Sequence, residues 1–384
     1  MNSVSKKKLI SIVAGGTGGH IFPAISLIKF LKDKYNILII TDNRGSVYFT
    51  NFKKKNYLSY NFKLVAINSQ SPFKYGLINK VIFIFLSVLT ALKILNLFLK
   101  HKPILLIGFG GYSTFIPCLM SKIMGIEFFI HEQNAMMGRA NKFLEFFATI
   151  SFLGFKNTKP KINIKKRIFC GTPLREEFYK INKYKSDYNY IKQNFNILIF
   201  GGSLGSDYFS TQIPNLICSL NKSISQKLNI THQVINEKIL PVQTIYKKNK
   251  ISANVKSFFP DMIKYFKKAD LIIARAGGST IAEILVSKIP SVIIPLPNSL
   301  DNHQFLNSKI ISENKLGWVI SEKELNSTNL KKIFNKITKS KVSEKKFKKN
   351  FEILNNKLTK FSNNKLPNEI INEAIKKIDN KTIN

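Results

Sequence analysis

The chain has 384 residues, 44% of them hydrophobic, which is enough for two domains with separate cores and excludes general disorder. It carries 60 Lys and Arg against 22 Asp and Glu, a formal net charge of +38. This surplus favours anionic partners, such as phosphorylated substrates or an anionic membrane surface, or else reflects lysine-rich solvated faces. Nucleic acid is not an expected partner, because no nucleic-acid-binding motif is present in the sequence.

The three cysteines lie far apart and form no C-x-x-C pair. This pattern predicts neither a zinc site nor a disulfide framework, and it is typical of a reducing compartment. An apolar run follows the lysines at 6–8, but it is too short for a signal peptide and ends in glycines. We therefore expect this run to be the first strand of a cytoplasmic protein.

Residues 9–14 predict a buried strand that leads into the sequence GGTGGH at 15–20 and then into a helix. A strand, a glycine turn and a helix start together present backbone N–H groups to an anion such as phosphate. The glycine spacing does not fit the dinucleotide fingerprint G-x-G-x-x-G. Thr17 and His20 add a hydroxyl and an imidazole, which a simple phosphate site does not need.

The chain then alternates between apolar strands and helices. Strands are expected over residues 36–40, 62–66, 103–107 and 128–130, and helices over 24–31 and 114–124. This alternation predicts a doubly wound parallel sheet, whose ligands bind at the carboxyl ends of the strands. A second glycine turn at 108–113 and the HEQNA loop at 131–135 both fall at such ends.

Residues 77–100 form the longest apolar segment, with no charged side chain between positions 81 and 92. The uncharged part is shorter than the roughly 20 residues of a membrane-spanning helix. Two interpretations stay open. The helix packs on the sheet, or it also presents apolar side chains and Lys80, Lys93 and Lys100 to a membrane surface.

The pattern restarts after a Lys- and Asn-rich stretch near residues 155–166, with a strand at 196–200 and a glycine turn at 201–206. Further strands are expected over 254–258, 271–274 and 291–295, and a helix over 262–269. The sequence thus predicts an α/β protein of two Rossmann-type domains in tandem, separated by a cleft. We expect the first over residues 1–170 and the second over 171–364, with a last helix at about 365–384 packing back on the first.

A fourth glycine turn, at 275–280, opens a helix that contains Glu283. Its N–H groups and hydroxyls suit a diphosphate, and the carboxylate can accept hydrogen bonds from both hydroxyls of a ribose. The alternative is an ordinary capped helix with an acid near its start. His303 and Gln304 follow the next strand, where they could reach a sugar or simply cap a loop.

His20, His131 and His303 all fall in strand-end loops, which favours acid–base work for at least one of them. The helix start beside His20 keeps its imidazole neutral and able to accept a proton, although a neighbouring group could do so instead. His131 alternatively orients its loop. No Asp-x-Asp pair is present, so no metal is expected, and helix N-termini with Arg175, Ser203 and Thr280 would neutralise a leaving group.

Seven motifs occur in order between residues 8 and 320. They are GGTGGHIFPA (15–24), GFGGYST (108–114), HEQNA (131–135), GTPLR (171–175), GGSLGS (201–206), RAGGSTIAE (275–283) and LPNSLDNHQ (296–304). Together they resemble the MurG family of N-acetylglucosaminyltransferases of bacterial peptidoglycan synthesis. The resemblance implies a GT-B glycosyltransferase fold and a peripheral enzyme on the cytoplasmic face of the inner membrane. It further implies metal-independent, inverting transfer from UDP-GlcNAc to the 4-hydroxyl of undecaprenyl-pyrophosphate-linked MurNAc-pentapeptide, with no cofactor.

Matching the motifs position by position implies a set of site residues. The donor contacts would be Gly16, Thr17, Gly18, Asn134, Arg175, Ser203, Phe259, Gly278, Ser279, Thr280, Ile281, Ala282, Glu283 and Gln304. The acceptor side would include Gly19, Gly110, Gly111, Tyr112 and His131, with His20 as the base. Thr172, Leu204 and Gly278 stand where the family commonly has Asn, Gln and Ala, and none of these differences removes a titratable group.

Three other functions compete with this interpretation. A related transferase could act on a different glycolipid, although the HEQNA and GFGGY loops argue against that. An NAD-dependent dehydrogenase could use Asp42 to hold a ribose, but the fingerprint is broken. A basic binding module would leave Glu283 and the loop histidines without a role.

Overall fold

The computed structural model describes residues 7–55, 62–69, 77–161, 166–181, 195–202, 205–338, 341–361 and 364–381. The chain divides into two compact units. Unit 1 contains residues 1–174 and 361–384, and unit 2 contains residues 175–360.

Unit 1 is built on a sheet of seven parallel strands in the order β3-β2-β1-β4-β5-β6-β7. The strands are β1 (Leu9–Val13), β2 (Asn36–Asp42), β3 (Phe62–Ile67), β4 (Leu105–Gly108), β5 (Glu127–Glu132), β6 (Ile150–Leu153) and β7 (Arg167–Phe169). The central strands are buried along nearly their whole length, as expected when helices cover both faces of a parallel sheet.

The described residues of unit 1 form six α-helices. They are α1 (Gly18–Leu31), α2 (Asn43–Lys55), α3 (Leu77–His101), α4 (Phe115–Ile123), α5 (Arg139–Leu144) and α15 (Pro367–Lys381). Helix α1 begins inside the first glycine turn, six residues before the predicted start at residue 24, and it contains Pro23 in its second turn. The apolar side chains of α1 and the even-numbered positions of β1 share one core on this face of the sheet.

Helix α15 completes that core, although it lies at the far end of the chain. Ile371, Ile375 and Ile378 are buried among the side chains of α1 and the sheet. Lys8, just before β1, forms an ion pair of 2.6 Å with Asp379.

Helix α3 buries only one of its faces. Thr90, Ile94 and Phe98 are buried against the sheet, whereas eight large apolar side chains are exposed. The exposed set is Val81, Ile82, Ile84, Phe85, Val88, Leu89, Leu92 and Leu99. Of the described helices, the part of α3 from Val81 to His101 is long and apolar enough to cross a membrane by length and composition alone.

Unit 2 repeats the architecture with six parallel strands in the order β10-β9-β8-β11-β12-β13. The strands are β8 (Phe195–Phe200), β9 (Leu228–Gln233), β10 (Ser252–Lys256), β11 (Leu271–Ala274), β12 (Ser291–Ile293) and β13 (Gly317–Val319). Its helices are α6 (Glu176–Tyr179), α7 (Asp207–Cys218), α8 (Lys222–Ser225), α9 (Ile239–Lys248), α10 (Met262–Lys268), α11 (Gly278–Ser287), α12 (His303–Glu313), α13 (Ser327–Thr338) and α14 (Lys341–Phe361). The predicted strand at 254–258 begins two residues earlier than expected, at Ser252.

Candidate active site

The sheet of unit 1 reverses its winding direction between β1 and β4. Strand β1 pairs with β2 on one side and with β4 on the other, so the chain leaves the two central strands toward opposite faces. Ligands of doubly wound folds bind at this point, beyond the carboxyl ends of the strands. The glycine turns that follow β1 and β4 both lie here.

The first turn is anchored by Asp42 at the end of β2. One carboxylate oxygen accepts a hydrogen bond from the Gly16 N–H (2.9 Å), and the other accepts one from the Gly45 N–H (2.8 Å). Gly16 has a φ of 81°, a left-handed conformation that favours glycine. A Cβ at Gly15 would lie 2.5 Å from the Ser113 hydroxyl, so the two glycine turns pack directly against each other.

His20 lies on the first turn of α1 with its ring over the second glycine turn. A Cβ at Gly110 would lie 3.1 Å from His20 Cε1, and one at Gly111 would lie 3.7 Å from Cδ2. Both glycines have positive φ, 91° and 81°. The turn therefore leaves room for the imidazole, and a larger residue at 110 would displace it.

Polar groups continue inward from His20 to the end of β5. His20 Nδ1 lies 2.9 Å from Gln133 Oε1, and Gln133 Nε2 lies 3.0 Å from His131 Nδ1. His131 Nε2 in turn lies 2.9 Å from the Gly171 carbonyl oxygen. His131 is fully buried, and this burial lowers its pKa to about 4, so its ring is neutral at pH 7.

Glu132 holds the remainder of the HEQNA loop. One carboxylate oxygen accepts from the backbone and side-chain N–H groups of Asn134, both at 3.0 Å. The other accepts from Gly138 N (2.9 Å) and Asn141 Nδ2 (2.9 Å). Four donors on a buried carboxylate fix the path of the loop and thus the position of Asn134.

Unit 2 has its own reversal point, between β8 and β11. Strand β8 pairs with β9 and with β11, and a glycine turn follows each of the two central strands. Ser203, a predicted donor contact, lies outside the described residues, as does Leu204. The turn after β11 leads directly into α11.

Helix α11 begins at Gly278, with Gly277 in an extended conformation before it. The first N–H groups of a helix have no partner inside it, which leaves those of Gly278, Ser279 and Thr280 directed along the helix axis. Such a terminus attracts an anion. The same helix carries Ile281, Ala282 and Glu283 in its next turn, as the sequence predicts.

Glu283 keeps some exposed surface but is crowded by protein atoms. The loss of hydration raises the pKa of its carboxyl from 4.5 to about 7, and the nearby Arg175 guanidinium opposes this shift. Arg175 precedes α6, which packs on α11, and its guanidinium lies 5.2 Å from the Phe178 ring centroid. Two predicted donor contacts therefore lie close together in unit 2.

Gln304 joins the loop after β12 to the turn after β11. Its Oε1 accepts from Leu296 N (3.0 Å) and Ala276 N (3.2 Å). Within the described part of the chain no group is bonded to its Nε2, so two amide donors remain for a ligand. His303 instead donates to the Leu300 carbonyl oxygen (2.8 Å), which is the loop-capping alternative.

Arg275 is a residue of this site that sequence reasoning left without a role. It is 5% exposed and donates to the Ser206 hydroxyl (2.9 Å) and to the Ile294 carbonyl (3.2 Å), and it pairs with Glu322. These contacts join the carboxyl ends of three strands. Phe259 is also buried, packed on Tyr265, so a ligand would meet its backbone and not its ring.

The structure thus divides the predicted site residues between the two units. Unit 1 holds Gly16, Thr17, Gly18, Gly19, His20, Gly110, Gly111, Tyr112, His131 and Asn134, and unit 2 holds Arg175, Phe259, Gly278, Ser279, Thr280, Ile281, Ala282, Glu283 and Gln304. Sequence reasoning did not select Asp42 as an anchor of the glycine turn, nor Glu132, Gln133 or Asn141. For Asp42, Glu132 and Gln133 the signal was a polar residue at the end of a buried strand, whereas Asn141 lies on α5.

Comparison with known proteins identifies both units. Residues 10–152 match the glycosyltransferase family 28 N-terminal domain, and residues 196–364 match the family 28 C-terminal domain. The solved structure of MurG from Acinetobacter baumannii is 25% identical and superposes with a TM-score of 0.69, covering 96% of this chain and 99% of that one. A UDP-glucose:anthocyanidin 3-O-glucosyltransferase in complex with UDP shares the fold (TM-score 0.67) at 11% identity, with 97% of this chain and 100% of that one covered.

Curated relatives extend this match in sequence. The UDP-N-acetylglucosamine–N-acetylmuramyl-(pentapeptide) pyrophosphoryl-undecaprenol N-acetylglucosamine transferase of Rickettsia bellii is 33% identical over 88% of this chain and 93% of its own length. The enzyme of the same name from Bartonella quintana is 34% identical over 85% of this chain and 84% of its own length. These matches confirm the expected GT-B class, with two Rossmann-like domains, and exclude the dehydrogenase and the non-enzymatic binding module. The chain belongs to glycosyltransferase family 28 and, within it, to the MurG transferases.

Proposed function

We propose that this chain transfers GlcNAc from UDP-GlcNAc to the 4-hydroxyl of MurNAc-pentapeptide-pyrophosphoryl-undecaprenol, with inversion at the anomeric carbon. The observation that carries this proposal is the match to a transferase of that name over 88% of the chain. The family 28 matches at residues 10–152 and 196–364 include the glycine turns of both units. The reaction requires a base, an oriented acceptor hydroxyl, and hydrogen-bond donors for the departing UDP.

We assign donor recognition mainly to unit 2. The N–H groups at the start of α11 bind the diphosphate, where negative charge grows as the bond between the sugar and UDP breaks. Glu283 accepts hydrogen bonds from the ribose hydroxyls, which requires its ionised form, and the free amide donors of Gln304 bind hydroxyls of GlcNAc. The Arg175 guanidinium lies near this carboxylate and favours its ionised form.

The acceptor chemistry is assigned to unit 1. His20 removes the proton of the acceptor hydroxyl while its oxygen attacks the anomeric carbon, and UDP leaves with the electron pair of the broken bond. Gly19, Gly110 and Gly111 line this side of the turn, and their small size lets the acceptor diphosphate approach the backbone.

We further propose that the exposed face of α3 contacts a membrane surface. Phe115 of α4 lies 5.3 Å from Phe143 of α5 (ring centroids), and both line a cavity of about 230 Å³ together with Phe83 and Leu86 of α3. The apolar surface of α3 therefore continues onto two neighbouring helices. Lys93 and Lys100 lie on the same helix and suit anionic headgroups, whereas the Lys80 side chain lies outside the described residues.

The enzymatic proposal is tested with purified protein, radiolabelled UDP-GlcNAc and a short-chain analogue of the lipid-linked MurNAc-pentapeptide. We expect a labelled disaccharide product with a β-linkage. We expect no product when the acceptor is omitted or when NAD replaces UDP-GlcNAc. Comparable transfer to a diacylglycerol or a lipid A precursor would instead support the rival glycolipid transferase.

The membrane proposal is tested by sedimentation with phosphatidylglycerol vesicles. Replacing Phe85 and Leu92 with Ser is expected to reduce binding severalfold, and added salt should weaken the remainder. Leu240→Ser is the matched control, because that side chain is 75% exposed but lies in unit 2. Equal loss with the control variant would contradict the assignment to α3.

A further inference from the structure

A hydrogen-bonded row runs from the partly exposed His20 through the buried Gln133 and His131 to the Gly171 carbonyl, and its hydrogen bonds have a defined direction. A backbone carbonyl oxygen only accepts, so the contact of 2.9 Å at Gly171 requires a proton on His131 Nε2. Burial keeps His131 neutral, with a pKa of about 4, so its single ring proton is the one on Nε2. His131 Nδ1 therefore carries a lone pair and accepts from Gln133 Nε2.

The orientation of the Gln133 amide is fixed by a second carbonyl. Its Nε2 also lies 3.3 Å from the backbone oxygen of His131, an atom that cannot donate. The nitrogen end of the amide thus faces two acceptors, and Oε1 must face His20. Because an amide oxygen only accepts, His20 Nδ1 is the donor in the contact of 2.9 Å.

The unused nitrogen of His20 is Nε2. In the described part of the chain no hydrogen bond is made to it, and the ring is partly exposed above the glycines at 110 and 111. With Nδ1 protonated, the neutral ring carries its lone pair on Nε2, which is the nitrogen that solvent or an acceptor can reach.

We propose that Gln133 and His131 are positioning residues that hold His20 in its Nδ1–H tautomer, so that Nε2 is the atom that takes the acceptor proton. This inference rests on the proposed function. In the reaction the proton of the acceptor hydroxyl moves to Nε2, the O–H electron pair forms the new glycosidic bond, and UDP carries away the electrons of the old one. The imidazolium then still donates from Nδ1 to Gln133, so the amide does not change orientation during turnover.

The tautomer can be measured without any substrate. Long-range ¹H–¹⁵N correlation spectra of protein labelled in the histidine rings distinguish Nδ1–H from Nε2–H, and His20→Asn identifies the signals of residue 20. We expect the Nδ1–H pattern for neutral His20 and the Nε2–H pattern for His131. An Nε2–H pattern at His20 would overturn the proposal, whether or not the enzyme is active.

Two substitutions at Gln133 separate positioning from packing. Gln133→Glu keeps an oxygen that accepts from His20, whereas Gln133→Met has similar length and no acceptor. We expect the Met variant to lose kcat by about 10- to 100-fold with donor KM unchanged, and the Glu variant to retain more of it. If residue 133 served packing alone, Met would be the better tolerated of the two, because Glu buries a charge.

Gln233→Met is the control for the loss of a buried amide. Gln233 is buried and donates to the Ser257 carbonyl oxygen (3.2 Å), but it lies in unit 2 and outside the site residues. Its kcat should stay near that of the parent chain. A kcat for Gln133→Met equal to or above that of Gln133→Glu would overturn the proposal, and an inactive parent chain would instead count against the proposed function.

Discussion

The two units share one type of topology, and we propose different tasks for them. In each unit the winding direction of the chain reverses between the two central strands of a parallel sheet, and a glycine turn follows each of these strands. In unit 1 the Asp42 carboxylate occupies the Gly16 N–H, and the buried groups behind the turn converge on an imidazole. In unit 2 the buried Arg275 guanidinium joins the ends of neighbouring strands through its hydrogen bonds. Helix α11 begins beside it and carries Glu283 one turn after its start.

This comparison shows that the fold places a site but does not determine its chemistry. In unit 1 the Asp42 carboxylate anchors the glycine turn through the Gly16 N–H, which precedes the helix, and His20 lies on the first turn of that helix. In unit 2 the turn after β11 leads directly into the helix that carries Glu283. The predictions below test this division, in which unit 1 performs proton transfer and unit 2 performs donor binding.

The largest effect is expected for His20→Ala. Loss of the base should lower kcat by about 10²- to 10⁴-fold and leave the affinity for UDP-GlcNAc unchanged. Steady-state kinetics and calorimetric donor binding measure the two quantities. His101→Ala is the control, because that ring contacts Lys63 away from the glycine turns. Near-normal turnover of the His20 variant would assign the base elsewhere.

Glu283→Ala should weaken donor binding, the quantity that His20→Ala is expected to leave unchanged. Loss of a charged hydrogen-bond acceptor costs about 1.5–3 kcal/mol, so donor KM should rise by about 10- to 100-fold. In the parent chain, donor affinity should also weaken as the pH falls below about 7, because protonated Glu283 loses acceptor capacity. An unchanged KM at pH 8 would remove Glu283 from the ribose site.

Gly110→Ala tests the contact between the second glycine turn and His20. A Cβ there meets Cε1 at 3.1 Å and Nδ1 at 3.2 Å, so we expect kcat to fall by about 10-fold as the ring moves. Gly125→Ala is the control for backbone strain, since its φ is also positive (71°) but its Cβ would meet nothing within 4 Å. Both variants should lose about 1–2 kcal/mol of stability, measured by urea unfolding. Equal kcat values would contradict the contact.

The smallest effect concerns stability. The pKa of Glu283 lies above its ordinary value of 4.5 in the folded chain, so folding becomes less favourable as the pH rises from about 4.5 to about 7. Glu283→Gln removes the ionisation and should raise Tm by a few degrees at pH 8, with a smaller gain at pH 5. Calorimetric scans at the two pH values measure this difference. A gain in Tm that is equal at the two pH values would show that ionisation of Glu283 does not lower the stability of the folded chain.

Strong apolar runs made much of the fold predictable. β11 has the expected bounds, Leu271–Ala274, and most other expected strands overlap observed ones. Strands β6, β7, β9 and β13 were not expected, because β7 and β13 have three residues each and β9 interleaves Asn, Thr and His with its apolar positions. Short or polar strands depend on their neighbours more than on their own pattern.

The site was predictable to the extent that it lies on motifs. Strand ends and glycines located His20 and Glu283, whereas the role of Gln133 depends on which atoms face it. No spacing along the chain shows that two carbonyl oxygens direct its amide. The same limit applies to Arg275, whose residue type suggests an anion site but whose contacts are all with the protein.

Helix α15 has a consequence for how the protein is made. Its buried side chains Ile371, Ile375 and Ile378 fill the core against α1, yet they leave the ribosome after all of unit 2 has been synthesised. During translation, the apolar surface of α1 that α15 covers is therefore exposed to solvent until the last residues are made, while unit 2 can already fold. A stop codon that deletes only α15 would leave this apolar surface exposed permanently. Loss of the carboxyl terminus should therefore destabilise unit 1, although α15 lies away from the candidate active site.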